Sequence, residues 1–171
     1  MAEPATSYTY LESPVGPLLL AGDADGLMLI SFPCGRRPRE PSASWVRDEG
    51  VLAEPIAQLR SYFAGELREF SLPLRPQGTP FQNRVWSALQ AVPFGVTISY
   101  GEFARRIGQP AAARAVGAAN GANPLPIVVP CHRVIGGDHS LTGFGGGLST
   151  KRFLLTHEAR LTRRPGELRF D

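Results

Sequence analysis

Four consecutive residues, Pro130-Cys131-His132-Arg133, combine side chains that could carry out a covalent reaction. A thiol becomes a nucleophile when it loses its proton, and neighbouring cations lower its pKa. The apolar run over residues 125–129 predicts a buried strand or extended segment, so Cys131 is expected where the chain leaves the core. Because adjacent side chains of extended backbone point to opposite faces, His132 would need a bend or a bridging water to reach Cys131. We predict that Cys131 is a nucleophile and that the neighbouring His132 and Arg133 favour its thiolate.

Two segments further along the chain could complete a reactive site. Residues 142–147 (TGFGGG) form a glycine-rich loop whose backbone N–H groups could approach a ligand closely. Their spacing does not match the G-x-x-x-x-G-K-S/T loop that binds phosphate. The last predicted helix, Lys151 to Ala159, carries Glu158, a carboxylate that could orient His132. On the sequence alone, a solvated or ion-paired surface acid is the alternative interpretation of Glu158.

Two predicted helices precede the cysteine. Ser99 and Glu102 have the spacing of a capping box and begin a short helix that stops at Gly108. An alanine-rich helix follows over residues 111–120, in which Arg114 is nearly the only large side chain. The pair is either a core-packing αα-hairpin or the helix-turn-helix of a DNA-binding protein. Because it has so little bulk, the second helix could lie close to a nucleic-acid groove, with Arg114 in the place of a base.

Apolar runs separated by turn residues predict a mixed first part of the chain, with a charged, proline-rich surface loop over residues 33–44. Thr79 and Gln82 form another capping box, which begins a mainly helical second part. The change in composition places a boundary after residue 75, giving domains of residues 1–75 and 76–171. The elements predicted before the boundary are strands over residues 18–20, 27–32 and 70–74, and a helix over residues 51–64 that Gly65 closes.

Composition and charge restrict the class of protein. The chain has 171 residues and is 43% hydrophobic, which excludes a disordered or fibrous protein. Its 2 cysteines and 3 histidines lack metal-ligand spacing, so neither a disulfide framework nor a metal site is expected. Without a signal pattern or a membrane-spanning run, we expect a cytoplasmic protein. Residues 76–171 carry eleven basic and five acidic residues, against seven and ten in residues 1–75. This basic second part suits a surface that binds a polyanion, although a solvated basic face is the commoner cause of such a bias.

The run Ile127–Val134 closely resembles the acceptor motif of the O6-alkylguanine-DNA alkyltransferases. The resemblance extends over roughly residues 79–160 and is weaker earlier in the chain, where residues 13–18 and 62–65 also fit. It implies an α/β protein, with an RNase H-like N-terminal domain that has a small antiparallel sheet and a mainly helical C-terminal domain with a helix-turn-helix. The other matching segments are Ser99-Tyr100-Gly101, Ala113-Arg114-Ala115-Val116-Gly117, Asn123-Pro124 and Gly143 to Glu158.

The resemblance also implies an activity, which is the direct reversal of DNA damage. The alkyl group of O6-alkylguanine, and that of O4-alkylthymine, would move irreversibly to Cys131, once per protein molecule. The partner would be double-stranded DNA, bound through its minor groove with the damaged nucleotide flipped out. The protein would act as a monomer without a cofactor, a metal or a membrane.

Individual roles follow from the same resemblance. His132 would deprotonate Cys131 through a water, and Glu158 would hold His132 in the required tautomer. Asn123 would brace the motif, and Tyr100 would help to rotate the 3′ phosphate and would hydrogen-bond the guanine ring. Phe144 stands where many members have Tyr, and Gly145 where some have Ser. The remaining implied DNA- and base-binding residues are Arg114, which would fill the gap left by the flipped nucleotide, Ser99, Ala113, Ala115, the backbone of Val134 and Gly145, and Lys151, which would support the pocket.

The residues themselves leave two other functions open. A cysteine hydrolase could use Cys131, His132 and Glu158 as a triad, with an oxyanion hole in the loop 143–147. A non-catalytic DNA-binding protein could use only the helices within residues 99–120. Stoichiometry separates the three functions, because they predict one alkyl group per protein, many turnovers or none.

Overall fold

The first part of the chain forms a four-stranded sheet in a computed structural model that describes residues 4–36 and 38–163. The outer limits of the predicted domains, residues 1 and 171, lie outside the described residues. Strands β1 and β2 are antiparallel, as are β2 and β3, but the short β4 pairs parallel to β1. The sheet is therefore mixed rather than wholly antiparallel. The strands are β1 (Ser7–Leu11), β2 (Leu18–Asp23), β3 (Gly26–Ser31) and β4 (Val46–Arg47), in the order β3-β2-β1-β4.

Buried side chains lie on both faces of this sheet, which explains why β2 and β3 are almost continuously apolar. Leu18 and Leu20 belong to the main core, whereas Leu19 packs in a second cluster on the opposite face. Helix α1 (Ala53–Phe63) buries Leu59 against the main core, as its helical spacing predicts. The strand predicted over residues 70–74 is wrong, because only an isolated bridge from Leu74 to Leu27 forms there.

The second part is mainly helical, and its caps lie where the sequence predicts them. Helix α2 (Pro80–Leu89) begins with a complete capping box at Thr79. Ser99 caps the next helix through its hydroxyl, but the reciprocal bond from Glu102 is missing because that carboxylate pairs with Arg105 and Arg106. The remaining elements are β5 (Ile98–Ser99), α3 (Tyr100–Arg106), α4 (Ala113–Gly121), β6 (Val134–Ile135) and α5 (Leu148–Thr162).

Helices α3 and α4 are joined by a turn in which Gly108 has a φ of +73°, a conformation that favours glycine. Val116 and Ala119 of α4 are buried, and the Ala119 carbonyl accepts a hydrogen bond of 2.8 Å from the indole of Trp86. Arg114 is exposed on the opposite side of α4. The small residues of α4 therefore allow close packing on one side and leave one long cation on the other.

Residues 125–129 are buried but do not form the predicted strand. The Val129 N–H donates to the Leu125 carbonyl at 2.8 Å, and Ile127 has a φ of +76°, so the segment is a turn. Pro126 and Pro130 have no N–H to donate to a sheet, which explains why this apolar run bends instead. The bend delivers Cys131 into a short 3₁₀ turn over Cys131–Arg133.

No helix in the described part of the chain is both long enough and apolar enough to cross a lipid bilayer.

Candidate active site

Cys131 lies at the wall of a cavity of about 920 Å³ that runs between the two parts of the chain. The residue is only 3% exposed, and the 3₁₀ turn replaces the extended backbone that the sequence predicts. Tyr100, Asn123 and Arg114 line the same cavity. The structure therefore brings the predicted nucleophile together with three of the residues predicted to act around it.

His132 and Glu158 form a fully buried pair behind Cys131. His132 Nε2 lies 2.7 Å from Glu158 Oε1, and the two side chains are 0% and 1% exposed. Neither residue lines the cavity. The surface-acid interpretation of Glu158 is therefore excluded, and the carboxylate is placed to orient the imidazole.

Within the described part of the chain, five donor atoms surround the Glu158 carboxylate. Arg133 donates to both oxygens at 3.0 and 2.9 Å, and Tyr62 donates its hydroxyl at 2.9 Å. The Gly95 N–H donates at 3.1 Å, and His132 provides the fifth contact. Burial raises the pKa of Glu158, but its interactions with His132 and Arg133 outweigh burial, so the pKa lies well below its usual range. Glu158 is therefore a stable anion.

A carboxylate can only accept, so His132 must donate from Nε2 and carry its lone pair on Nδ1. Nδ1 is buried, and none of the described residues hydrogen-bonds to it. Burial lowers the pKa of His132, although Glu158 acts in the opposite direction. His132 is therefore neutral near pH 7, with a free base nitrogen beside the cysteine turn.

The prediction that neighbouring cations favour the Cys131 thiolate is wrong for the resting protein. Burial raises the pKa of Cys131 to about 11, and a hydrogen bond from Asn123 and the charge of Lys151 only partly offset it. Arg133 points away from the thiol, since its guanidinium binds Glu158 and the Val92 carbonyl. At rest the nucleophile is a thiol, so a reaction at neutral pH requires a base.

Lys151 holds the rim of the cavity from α5. Its Nζ is buried and donates to the Val134 carbonyl at 2.7 Å and to the Thr142 carbonyl at 3.1 Å. Burial lowers its pKa to about 8. Tyr100, whose hydroxyl donates to the same Thr142 carbonyl at 3.3 Å, lies beneath the ammonium, 5.9 Å from Nζ to the ring centre. Lys151 therefore ties the cysteine turn to the glycine-rich loop.

Two asparagines fix the backbone around the cysteine. Asn123 donates to the Val129 carbonyl at 2.8 Å and accepts from the Leu125 N–H at 2.9 Å, so it closes the turn before the cysteine. Asn120, which the sequence analysis does not single out, donates to the Cys131 carbonyl at 3.2 Å. Both lie at or just after the end of α4, so the helix-turn-helix and the nucleophile are rigidly connected.

The other residues predicted to bind DNA or the base lie in different places in the structure. Ala113 and Gly145 line the cavity, whereas Ser99 caps α3 and Ala115 is exposed on α4. The Val134 carbonyl is engaged by Lys151. These four residues and Val134 are thus distributed over the cavity, its rim and the outer face of α4.

Tyr62 is a residue of the site that its sequence context does not indicate, and Arg133 binds Glu158 rather than acting on the thiol as predicted. Tyr62 lies 96 positions before its partner Glu158, so sequence spacing carries no signal of the contact. Arg133 is adjacent to His132, but its direction depends on the 3₁₀ turn, which the sequence analysis does not predict. An N-terminal segment that lines the cavity is a further feature that the sequence does not indicate.

Replacing Tyr62 with phenylalanine tests the network around Glu158. The change keeps the buried ring but removes a hydrogen bond to a charged group, so the free energy of unfolding is expected to fall by about 1–3 kcal/mol. Urea denaturation measures this change. The exposed Tyr10→Phe variant is the control and is expected to leave stability unchanged. Equal stability of the two variants would contradict the Tyr62 assignment.

Comparisons with known proteins agree with this fold and site. Residues 80–160 match the family "6-O-methylguanine DNA methyltransferase, DNA binding domain", and residues 6–76 match its ribonuclease-like domain. The class that fold and sequence define is thus an α/β part joined to a helical part that contains a buried Pro-Cys-His-Arg motif. The chain belongs to the 6-O-methylguanine DNA methyltransferase family.

Three relatives illustrate the similarity. The chain is 52% identical over 151 residues to a methylated-DNA--protein-cysteine methyltransferase of Methanosarcina acetivorans, covering 88% of this chain and 97% of the relative. It is 51% identical over 162 residues to the protein of the same name from Mycobacterium tuberculosis, covering 94% and 96%. The crystal structure of Mycobacterium tuberculosis OGT in complex with DNA aligns with a TM-score of 0.85 at 50% identity, over 91% and 94% of the two chains.

Proposed function

We propose that this protein repairs DNA by moving the alkyl group of O6-alkylguanine, and that of O4-alkylthymine, irreversibly to Cys131. The observation that carries the proposal is the arrangement of a neutral, oriented His132 behind a protonated thiol that faces a large cavity. We also propose that residues 1–75 and 76–171 form two domains. One chain supplies every residue of this arrangement, which supports action as a monomer, and a free thiol acceptor suits the reducing cytoplasm.

The chemical step is a displacement at the alkyl carbon. His132 Nδ1 takes the thiol proton through a bridging water, while Glu158 stabilises the imidazolium that forms. The new S–C bond forms as the C–O6 bond breaks, and the leaving guanine regains a proton at its ring. Tyr100 lies in the cavity, and its hydroxyl would exchange its donation to the Thr142 carbonyl for one to the guanine ring. The thioether on Cys131 is stable, so each molecule reacts once.

The DNA-binding step uses α3, α4 and the cavity mouth. We propose that α4 enters the minor groove, because its small residues permit close approach to the DNA. Arg114 is exposed on α4 and lines the same cavity as Cys131, which suits a side chain that replaces the flipped nucleotide in the stack. Asn123 and Lys151 keep the acceptor turn and the cavity rim in place relative to α4.

Titrating the protein against duplex DNA with one O6-methylguanine tests this function. The number of repaired lesions is expected to rise to one per protein molecule and then stop. A cysteine hydrolase or other turnover enzyme would continue beyond that ratio. A purely DNA-binding protein would repair none.

Arg114→Ala is expected to slow repair of duplex DNA at least tenfold more than it slows the reaction with free O6-benzylguanine. The reason is that flipping costs a few kcal/mol in a duplex, whereas a free base requires no flipping. Single-turnover rates with both substrates measure the ratio. The control is Arg152→Ala on α5, which removes the same charge from an exposed position outside the cavity. Equal slowing of both substrates by Arg114→Ala would show that the residue is structural.

A further inference from the structure

The cavity that contains Cys131 has a second wall, which the N-terminal part of the chain provides. Residues 32–36 continue from the end of β3 and pass directly along the glycine-rich loop. Phe32 packs on Phe144 with ring centres 5.5 Å apart. Cys34, Arg36 and Arg39 line the same cavity as Ala113 and Arg114 of α4. None of these four N-terminal residues has a role in the proposed reaction so far.

Hydrogen bonds anchor this wall at several points. The Arg36 N–H donates to the Gly145 carbonyl at 3.1 Å, and the Cys34 thiol donates to the Gly146 carbonyl at 3.6 Å. The Arg39 N–H donates to the Ser31 hydroxyl at 2.9 Å. The backbone of the segment is therefore fixed relative to the acceptor site.

Gly35 shows how closely the two backbones approach. It has a φ of +110°, and a Cβ at this position would collide with the Gly145 carbonyl oxygen. A glycine is therefore required for this contact. The side chains on either side of the contact point are held at the cavity by a packed interface.

Among the described residues, the charges of this wall have no ion-pair partner. Arg36 and Arg39 are exposed, and neither forms an ion pair with any described carboxylate. Arg114 adds a third guanidinium from α4, and no Asp or Glu is among the described residues that line the cavity. Three cations around one cavity repel each other unless an anion lies between them. The N-terminal part is otherwise rich in acidic residues, so this local cluster is an exception.

We propose that Arg36 and Arg39 bind the sugar-phosphate backbone of the DNA beside the flipped nucleotide. The DNA interface then has two sides, with α3 and α4 on one and the N-terminal wall on the other. Each guanidinium contacts a phosphate and releases counterions from the DNA. The inference rests on the proposed repair function, since the phosphates belong to the same damaged duplex.

The double variant Arg36→Gln/Arg39→Gln tests whether the N-terminal wall contacts the DNA phosphates. The matched control is Arg47→Gln/Arg60→Gln, which removes the same charge from exposed N-terminal positions outside the cavity. Affinity for a duplex with one O6-methylguanine is measured at several salt concentrations. The wall variant is expected to bind more weakly and to lose about 1 from the log–log salt slope per phosphate contact, whereas the control keeps the wild-type slope. In the wall variant, the rate of duplex repair is expected to fall more than the rate of reaction with free O6-benzylguanine.

Each result has a distinct meaning. A wall variant with the same salt slope as the control overturns the phosphate contacts, and equal losses with duplex and free base show that the arginines only shape the pocket. Arg36→Lys/Arg39→Lys retains the charges and is expected to keep most of the slope, which separates charge from folding. If the wild type itself reacts with neither substrate, the result contradicts the proposed repair function and not the phosphate contacts of the wall.

Discussion

Cys131→Ser is expected to abolish alkyl transfer to the protein while leaving duplex binding largely intact. The hydroxyl of serine is a far weaker nucleophile and acid than a thiol, and His132 cannot activate it sufficiently for attack on carbon. DNA affinity comes from phosphate and groove contacts that this substitution leaves in place. The measurement is the transfer of label from O6-[³H]methylguanine DNA to protein, together with binding to the same duplex.

Cys34→Ser is the matched control for this prediction. Cys34 is the other cysteine, and it lines the same cavity as Cys131. It donates to the Gly146 carbonyl and has no neighbouring base that corresponds to His132 among its described contacts. The control is therefore expected to accept one methyl group like the wild type. Transfer that persists in Cys131→Ser and disappears in Cys34→Ser would reverse the assignment.

His132→Ala and Glu158→Gln are each expected to slow transfer from O6-benzylguanine at neutral pH by at least about tenfold. A thiol with a pKa of about 11 holds only about one part in 10,000 as thiolate at pH 7. Removing the base leaves that small fraction to react, and Gln at position 158 no longer stabilises the imidazolium. Single-turnover rates with the free base measure the chemical step without DNA binding.

The reaction rates of these variants are expected to rise with pH, which a purely structural defect would not produce. Without a base, the rate is expected to rise about tenfold per pH unit while the pH stays below the thiol pKa. The wild type should be nearly constant near neutral pH, because burial lowers the pKa of His132 and keeps it a base. Lys151, with a pKa of about 8, loses its charge in the same range and reduces the recovery.

Folding must be checked separately for Glu158→Gln. The variant leaves the buried Arg133 without its anionic partner, which is destabilising. Cooperative melting near the wild-type temperature is the condition for interpreting its rate. A well-folded Glu158→Gln protein that reacts at the wild-type rate at neutral pH would contradict the relay.

Local signals explain most of what could be predicted about the helices. The capping box at Thr79 and the hydroxyl cap at Ser99 act within four residues, so their outcomes depend little on the rest of the protein. The conformation of residues 125–129 does not follow from a local signal in this way. Their apolar run suits a strand, but the prolines and Asn123 bend the segment. There the local pattern is ambiguous, and specific hydrogen bonds decide.

Some features of the site could likewise be predicted from the sequence, whereas others depend on tertiary structure. Cys131, His132 and Glu158 could be named from a motif, but the tautomer of His132 depends on the Glu158 anion, which Tyr62 and Gly95 help to stabilise from distant positions in the chain. The raised pKa of Cys131 depends on burial, which the charges of its neighbours in sequence do not reveal. Tyr62 and the wall containing Arg36 come from the N-terminal part, so only tertiary packing shows that Tyr62 binds Glu158 and that Arg36 lines the cavity of Cys131.

Mass spectrometry of the reacted protein tests the central claim most directly. The wild type is incubated with excess duplex containing one O6-methylguanine, and its intact mass and peptide map are measured. The expected result is a single added methyl group per molecule, located on Cys131, with no further change on longer incubation. An unmodified protein, or a methyl group on Cys34 or any other residue, would contradict the account.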